Sequence, residues 1–321
     1  METFKVVISD CYYEDVEQEQ REMRQIGARL ERCNCKTEDE VIAAAKDCDA
    51  LICQFAPITR RVIERMPRCK VIVRYAIGVD NIDVKAAEEL GVYVCNVPDY
   101  SIDEVSNHAI ALLLDCAKKL TYLAGQVKRG NCSYTVLKPL YRMQGRTLGL
   151  VGFGRIPRMV ARKMAGFGVN IVAYDPYIDA RAAEELGVKP VGWEELLRCS
   201  DYISVHCPLT PETRHLFNRA AFEKMKDTCI FVNTARGAVV CEEDLVWALR
   251  NGQIGMAGLD VTETEPIPAD HPLLTLDNAL VTPHAAWYSE EAVKSLQLKV
   301  AQEAARVLQG QQPQNPVNHP A

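Results

Sequence analysis

The chain has 321 residues and a net charge of −6, with 25% charged and 48% hydrophobic residues. This length allows one to three domains, because one domain usually takes about 100–200 residues, and the acidic balance offers none of the basic character that nucleic-acid binding requires. No apolar run approaches a membrane span and the polar start of the chain does not resemble a signal peptide, so we expect a cytoplasmic protein with neither nucleic-acid nor membrane partners.

Short apolar, β-branched runs recur along the chain and predict strands. Helical patterns lie between most of them, and this alternation is typical of parallel sheets covered by helices on both faces. The predicted strands are Phe4–Ser9, Ala50–Phe55, Val71–Ala76, Val92–Val97, Thr147–Gly152, Asn170–Tyr174, Tyr202–Cys207, Cys229–Asn233, Met256–Val261 and Ala279–Thr282. The fold class is therefore α/β, with doubly wound parallel sheets.

Two segments repeat the same phrase and indicate two α/β units of similar construction. Ala86–Val92 and Ala182–Val188 each read as the end of a helix, a glycine C-cap and the start of a strand. The segment Gly125–Gly145 between the units has no strand pattern and is rich in basic and polar residues. We expect it to form an arm or linker.

The stretch Thr147–Arg155 reads as a strand that runs into a glycine turn and predicts a dinucleotide site. Gly152 permits the tight turn and Gly154 lets backbone approach a pyrophosphate, which the N-terminus of the following helix then binds. The third glycine of this fingerprint is missing, because Pro157 stands in its place. The usual close contact between helix and strand at that glycine is therefore in question.

Asp175, at the end of the next predicted strand, supports this interpretation. It follows the glycines by about 20 residues, the spacing from which an acid binds the adenosine ribose hydroxyls. A carboxylate there would repel a 2′-phosphate, so NAD(H) is favoured over NADP(H). The alternative is a plain strand, turn and helix with a surface aspartate.

Three later predicted strands are each followed by a polar group that suits acid–base chemistry. These groups are Arg236, Glu265 and His284. Ligands of open parallel sheets bind beyond the carboxyl ends of the strands, so the three side chains are expected at one edge. Each alone would more often be a turn or surface residue, but together, after a dinucleotide turn, they favour a catalytic site.

The motifs resemble, in order and spacing, those of the D-isomer-specific 2-hydroxyacid dehydrogenase family. They are Ile77–Asp83, the nucleotide turn, His206–Thr210, Asn233–Gly237, Gly258–Val261, Glu265-Pro266 and Pro283-His284. The resemblance covers essentially the whole chain. Cys95–Pro98 and His284–Glu290 are most similar to the branch that contains the C-terminal-binding-protein corepressors.

The resemblance implies two Rossmann- or flavodoxin-like domains with an active-site cleft between them. Residues 1–99 and 290–321 would form a substrate domain. Residues 100–289 would form the NAD-binding domain, with a dimerisation arm at about 100–146. Because the family is usually dimeric through this domain, we expect a homodimer.

By the same resemblance, the activity would be transfer of a hydride between NAD(H) and a small 2-hydroxy or 2-oxo acid. Arg236 would bind the substrate carboxylate and carbonyl oxygen, His284 would exchange a proton with that oxygen, and Glu265 would orient the imidazole. Asp260 would contact the nicotinamide carboxamide. The cofactor contacts expected in all are Gly152, Gly154, Arg155, Ile156, Asp175, His206, Cys207, Pro208, Thr213, Thr234, Ala235, Asp260 and Ala286.

The substrate side chain is the least defined part of the site. Substrate contacts are expected from Phe55, Tyr75, Ile77, Gly78, Val79 and Trp287. The three aromatic residues are interpreted as lining an apolar pocket, and the alternative is that they are core residues, as aromatic residues near strand ends often are. The stretch Cys53–Pro57 carries no arginine of the kind that phosphoglycerate dehydrogenases typically use for the phosphate. An apolar 2-oxo acid is therefore favoured, with glyoxylate, hydroxypyruvate and pyruvate left open.

Two other functions compete with this one. An NAD(H)-responsive, corepressor-like scaffold with little turnover could retain the same catalytic residues, and fold alone does not decide function. A formate or phosphite dehydrogenase ranks low, because formate dehydrogenases of this superfamily generally have Gln in place of Glu265. The 13 dispersed cysteines and the other possible ligands show no metal spacing, so no metal is expected.

Overall fold

The computed structural model describes residues 4–320, which divide into two compact units. Among the described residues, the first unit comprises 4–101 and 289–320, and the second comprises Ile102–Tyr288. Residues 1–3 and 321, which the sequence assigns to the substrate domain, lie outside the described residues. Both units have a parallel sheet with helices, as the sequence predicts.

The first unit is built on a parallel sheet with the strand order β2-β1-β3-β4-β5 among the described residues. Its strands are β1 (Lys5–Ile8), β2 (Arg29–Arg32), β3 (Ala50–Cys53), β4 (Val71–Arg74) and β5 (Tyr93–Cys95). Its helices are α1 (Glu17–Gln25), α2 (Glu38–Ala45), α3 (Arg60–Ile63), α4 (Val84–Glu89) and α12 (Glu290–Leu308). The last helix returns to pack against α1, β3 and β4, which explains why the two ends of the chain share one unit.

The second unit contains a parallel sheet with the order β12-β11-β10-β9-β6-β7-β8 in the described part of the chain. Its strands are β6 (Thr147–Val151), β7 (Asn170–Tyr174), β8 (Val188–Pro190), β9 (Tyr202–Val205), β10 (Ile230–Asn233), β11 (Met256–Leu259) and β12 (Ala279–Val281). Its helices are α5 (Ile102–Lys118), α6 (Leu120–Lys128), α7 (Arg155–Met164), α8 (Ala180–Glu185), α9 (Trp193–Cys199), α10 (Arg219–Phe222) and α11 (Glu242–Arg250). Four 3₁₀ helices complete its described elements: Tyr134–Leu137, Ala165–Phe167, Gly237–Val239 and Pro272–Thr275.

The strands that form the centre of each sheet are the ones that the apolar runs predict. Each of them stops at, or up to two residues before, its predicted end, and the following residues form the loops at the carboxyl edge. Two strands, β2 and β8, are absent from the predicted apolar runs, although the phrase Ala182–Val188 indicates the start of β8. The sequence of β2, Arg29–Arg32, is mostly charged, and among the described residues β2 lies at the edge of the sheet and pairs with β1 alone.

The region at about 100–146, predicted as an arm, contains two different kinds of structure. Helix α5 is part of the core of the second unit and packs against α7, β10 and β11. Helix α6 has no buried residue, and the following segment exposes Tyr134 and Tyr141. In the range that the structure covers, none of the helices has the length and apolar character needed to cross a membrane.

Candidate active site

The three predicted catalytic residues follow three neighbouring parallel strands. β10 pairs with β11 and β11 pairs with β12, and the last residues of the three strands lie opposite one another. The segments that carry Arg236, Glu265 and His284 therefore leave the sheet side by side at its carboxyl edge. This is the edge at which open α/β sheets bind ligands.

His284 and Glu265 form a hydrogen-bonded pair. The Nδ1 atom of His284 lies 2.6 Å from Oε2 of Glu265, and the N–H group of Thr262 donates to Glu265 Oε1 at 3.1 Å. An ionised carboxylate is a hydrogen-bond acceptor only, so Nδ1 must carry the proton in this contact. The contact therefore favours the Nδ1–H tautomer and leaves Nε2 for another partner. The His284 side chain is 42% exposed. The pair can therefore hold or deliver a proton at Nε2.

The backbone at His284 adopts a conformation that few residues take. Its φ is 53°, in the left-handed region, which costs a residue with a side chain roughly 1–2 kcal/mol. The His284 N–H group donates to the Asp260 carbonyl at 2.8 Å, and the indole of Trp287 donates to the His284 carbonyl at 3.0 Å. These bonds offset the strain and fix the direction in which the imidazole leaves the backbone.

The carboxylate of Asp260 collects the other donors of this turn. Its Oδ1 atom accepts the Thr282 hydroxyl at 2.6 Å and the Ala285 N–H at 3.0 Å, and its Oδ2 atom accepts the Ala286 N–H at 2.8 Å. The Nε2 atom of His108 lies 3.3 Å from Oδ1. Asp260 is only 1% exposed, so it has little surface left for a ligand. Its predicted contact with a nicotinamide carboxamide stays a prediction.

Asp260 remains ionised despite its burial. Burial raises the pKa of this carboxyl, but the hydrogen bonds from His108, Thr282, Ala286 and Ala285 outweigh burial and bring the pKa below its ordinary value. A buried charge is stable only when it is matched by donors in this way. The donors in the turn after β12 therefore stabilise the charge of Asp260, and the hydrogen bonds to Asp260 hold that turn in place.

Gly237 joins the Arg236 segment to the loop after β11. A Cβ atom at Gly237 would overlap the carbonyl group of Thr262 and would lie 2.5 Å from the backbone nitrogen of Glu263. Any other residue would push this loop away. On the other side, the Asn233 amide donates to the Arg236 carbonyl at 2.9 Å. The two segments are thus held in direct backbone contact.

The predicted nucleotide turn has a glycine in a conformation that requires one. Gly152 has a φ of 90°, and a Cβ atom there would lie 3.0 Å from the backbone of both His206 and Cys207. Asp175 stands beside the turn, because its carboxylate accepts the N–H group of Phe153 at 2.7 Å. The acid at the end of β7 is therefore fixed next to the turn that it was predicted to serve.

Gly154 and the start of α7 offer space and donors for a pyrophosphate. A Cβ atom at Gly154 would meet no atom within 4 Å, and the helix carries no side-chain N-cap bond among the described residues. Pro157 is buried in the first turn, where its missing N–H group would have no helical partner in any case. An open approach to uncapped N–H groups fits the phosphates of a dinucleotide.

Four more predicted cofactor residues follow β10 or β9, namely Thr234, His206, Pro208 and Thr213. Thr234 is buried, and its hydroxyl has no hydrogen-bond partner among the described atoms. Such a buried hydroxyl costs free energy, which a polar group of a bound cofactor would recover. His206 bonds to the Ser204 hydroxyl at 2.8 Å, and burial lowers its pKa to about 3, so its ring is neutral. Thr213 donates to the Pro208 carbonyl at 2.6 Å and fixes the loop after β9.

The remaining predicted cofactor residues differ in how much surface they present. Cys207 and Ala286 are buried, Ile156 and Ala235 are partly buried, and Arg155 is exposed. All five belong to the segments that follow β6, β9, β10 and β12. Their contacts with a cofactor stay predictions.

In the first unit, Asp10 fixes the loop that carries Phe55. Its carboxylate accepts the N–H groups of Gln54, Phe55 and Ala56 at 3.1, 2.6 and 3.2 Å. Phe55 is 54% exposed, and its ring lies 5.2 Å from the ring of Tyr12, which is also exposed. This aromatic pair follows the ends of β1 and β3, at the carboxyl edge of the sheet.

The loop after β4 carries the other substrate residues predicted in the first unit. Ile77, Gly78 and Val79 are partly buried. The Asn96 amide donates to the Ile77 carbonyl at 2.5 Å, and the Ile82 N–H donates to the Val79 carbonyl at 3.0 Å. These bonds hold the backbone of the loop in one conformation.

Tyr75, predicted to line an apolar pocket with a core position as the alternative, is buried in the first unit. It is 2% exposed, and its hydroxyl donates to the buried Glu19 at 2.6 Å. A buried tyrosine needs a partner for its hydroxyl, and Glu19 provides it. This burial favours a structural role for Tyr75 over the predicted contact with substrate.

Three residues of these sites were missed in the sequence: His108, Asp10 and Tyr12. Asp10 and Tyr12 follow β1, and their position after a strand was a usable signal. His108 lies one helical turn before Leu112 on α5, so it places a polar group on the apolar face of that helix. That interruption of the apolar pattern was the only sign of its contact with residues far along the chain.

A family model described as "D-isomer specific 2-hydroxyacid dehydrogenase, NAD binding domain" matches residues 110–286. The chain is 40% identical over 318 residues to a D-3-phosphoglycerate dehydrogenase of Methanocaldococcus jannaschii, a match that covers 98% of this chain and 60% of that protein. It is 42% identical over 282 residues to a glyoxylate reductase of Korarchaeum cryptofilum, a match that covers 87% of this chain and 85% of that protein. The chain thus spans about 60% of the length of the first of these relatives.

Solved structures with the same fold include a D-lactate dehydrogenase of Aquifex aeolicus, complexed with NAD and lactic acid. It has a TM-score of 0.88 and 29% identity, and the match covers 98% of this chain and 100% of that one. A glyoxylate reductase from Paecilomyes thermophila has a TM-score of 0.90 and 27% identity, with 99% of both chains covered. The substrates named for these relatives differ from one another.

The two glycines of the nucleotide turn provide a matched pair of substitutions. Gly152→Ala should lower the free energy of unfolding by about 1–3 kcal/mol, because the left-handed φ and the close backbone both oppose a side chain. Gly154→Ala should cost less than about 1 kcal/mol, since its Cβ would enter open space, yet it should weaken NADH binding strongly. Urea unfolding and NADH fluorescence titration measure the two effects. Equal effects of the two substitutions on both readouts would contradict this assignment.

Proposed function

Because the chain belongs to the D-isomer-specific 2-hydroxyacid dehydrogenase family, we propose that it transfers a hydride between NAD(H) and a small 2-oxo or 2-hydroxy acid. The observation that carries the proposal is the His284–Glu265 pair at the carboxyl edge of the NAD-binding unit. Its Nδ1 side is bound to a carboxylate at 2.6 Å, and its Nε2 side is available for a substrate oxygen. Arg236 follows β10, which is separated in the same sheet from β12, the strand before His284, by β11.

In the reducing direction, His284 donates a proton from Nε2 to the carbonyl oxygen of the 2-oxo acid. Bound NADH supplies the hydride that the carbonyl carbon receives. In the oxidising direction, Nε2 removes the hydroxyl proton. An imidazole suits both directions because its ordinary pKa lies near neutral pH.

Glu265 and Arg236 support this proton transfer in different ways. Glu265 keeps the imidazole in the Nδ1–H tautomer and stabilises the charged ring that exists before proton donation. Arg236 offers a planar fork of donors for the carboxylate and the carbonyl oxygen of the substrate. It thereby also polarises the carbonyl as negative charge develops on the oxygen.

The cofactor would be held by the residues whose geometry fits it. The N–H groups at the start of α7 would bind the pyrophosphate, and Asp175 would bind the adenosine ribose hydroxyls. Thr234 would use its unpaired hydroxyl on a polar group of the cofactor. The carboxylate of Asp175 favours NAD(H) over a cofactor with a 2′-phosphate.

We further propose that the substrate has an apolar side chain, which Phe55 contacts. Phe55 is the exposed member of the first unit's predicted substrate residues, and Asp10 holds its backbone rigidly. Tyr12 beside it enlarges the aromatic surface. A phosphorylated side chain would find no cationic residue in the Cys53–Pro57 stretch.

A panel of 2-oxo acids tests the reaction. We expect NADH oxidation with at least one of glyoxylate, hydroxypyruvate, pyruvate, phenylpyruvate or a branched-chain oxo acid. His284→Ala should lower kcat roughly 10²–10⁴-fold, because it removes the proton donor. Glu265→Gln serves as the matched variant, since it keeps a hydrogen-bonding group beside Nδ1. Tight NADH binding without turnover on any acid would favour a cofactor-responsive scaffold instead.

Phe55→Ala tests the side-chain preference. Loss of this contact should lower kcat/KM for phenylpyruvate by about tenfold, the value of one good apolar contact, and should change kcat/KM for glyoxylate little. Phe167→Ala is the control, because that ring is similarly exposed but follows the carboxyl end of α7. Equal losses of kcat/KM for phenylpyruvate and glyoxylate would show that Phe55 does not contact the substrate side chain.

A further inference from the structure

We propose that His108 is a positioning residue for the proposed reaction. It acts on His284 through the buried carboxylate of Asp260. The inference rests on the proposed function only for its catalytic consequence. The geometry belongs entirely to the second unit. It requires no contact between His108 and either substrate or cofactor.

Three atoms meet at the end of β11. Nε2 of His108 lies 3.0 Å from Oγ1 of Thr282 and 3.3 Å from Oδ1 of Asp260. The Thr282 hydroxyl lies 2.6 Å from the same Asp260 oxygen. His108 and Thr282 are 174 residues apart in the chain, so this cluster exists only in the folded unit.

The proton positions in the cluster follow from the donor inventory. An ionised carboxylate can only accept, so the single proton of the Thr282 hydroxyl points to Asp260. The Thr282 oxygen then accepts from Nε2 of His108, which must carry a proton. His108 therefore donates to Thr282, and the same N–H group lies beside Asp260, with Nε2 3.3 Å from Oδ1, so it adds positive potential beside a buried negative charge.

The position of helix α5 brings His108 into contact with Thr282 and Asp260. Gly258 on β11 lets the helix approach, since a Cβ atom there would lie 3.0 Å from Cβ of Leu112 and 3.3 Å from Sγ of Cys116. His108, Leu112 and Cys116 follow at intervals of four and lie on one face of the helix. Asp260 lies two residues beyond Gly258, just after the end of β11, and is next to His108.

The contact reaches the catalytic histidine in one step. The same carboxylate accepts the N–H groups of Ala285 and Ala286, the two residues that follow His284. Without the donor from His108, a buried charge with fewer partners would remain, and such groups are costly. The turn would then loosen, and His284, whose left-handed φ depends on it, would lose its fixed orientation.

The test compares two substitutions of His108 in the full chain. His108→Leu keeps apolar bulk and removes the donor, whereas His108→Gln can place an amide N–H group near the position of Nε2. Ala111→Leu, on the exposed side of the same helix, controls for damage to α5. Amide hydrogen exchange is followed at residues 284–287 in the absence of any substrate.

We expect His108→Leu to raise exchange at Ala285 and Ala286 by about tenfold or more, a change that corresponds to about 1.4 kcal/mol. Exchange in β6 and β9 should stay unchanged, and His108→Gln should restore most of the protection. In turnover, kcat of the Leu variant should fall by about 10²-fold through misplacement of His284. KM should change little, and the Gln variant should recover kcat.

Two results would overturn the proposal. One is unchanged exchange at Ala285 and Ala286 in His108→Leu, and the other is equal damage by the Leu and Gln substitutions. If the wild-type protein reduces none of the acids tested, the exchange experiment still decides the positioning role alone. Failure of the proposed function and failure of this inference are therefore distinguished.

Discussion

The candidate site depends on one buried charge, the carboxylate of Asp260 at the end of β11. A carboxylate that is 1% exposed must be matched by donors inside the protein, because water cannot reach it. The donors come from α5, from the end of β12 and from the two residues after His284. The unit cannot satisfy this charge without also building the turn that presents the imidazole. Burial of this charge and placement of the proposed proton donor, His284, thus depend on the same hydrogen bonds.

Two glycines make this arrangement sterically possible. Gly258 lets α5 approach β11, and Gly237 lets the Arg236 segment approach the loop that leads to Glu265. In both cases a Cβ atom would force backbone or core side chains apart. The proposed acid–base pair and Arg236 are therefore located by close backbone packing as well as by hydrogen bonds, an arrangement that would suit preorganised catalysis.

The sequence predicted the central strands and the residues at their ends because both leave short-range signals. Apolar runs mark buried parallel strands, and Arg236, Glu265 and His284 each follow such a run. Strand β2 was missed because an edge strand need not be apolar. His108 was missed because its significance lies in a contact across 174 residues, which no local pattern encodes.

Two predicted site residues have contacts that no strand pattern reveals. The hydroxyl of Tyr75 is bound to the buried Glu19, which favours the core alternative without testing the pocket. Both carboxylate oxygens of Asp260 accept hydrogen bonds within the unit, and its contact with a cofactor stays a prediction. In the predicted nucleotide turn, by contrast, the conformation of Gly152 could be predicted from the sequence, because few residues other than glycine adopt a positive φ.

The most direct measurement of this account is the single-turnover rate of NADH oxidation by Asp260→Asn, with NADH and a 2-oxo acid both saturating. Asparagine keeps the shape of the side chain but places a donor where the carboxylate accepts N–H groups. We predict that the rate falls by about 10²-fold while the Kd for NADH changes far less, because the loss acts on the placement of His284. An unchanged rate with greatly weakened NADH binding would contradict it, since Asp260 would then serve the cofactor and not the turn.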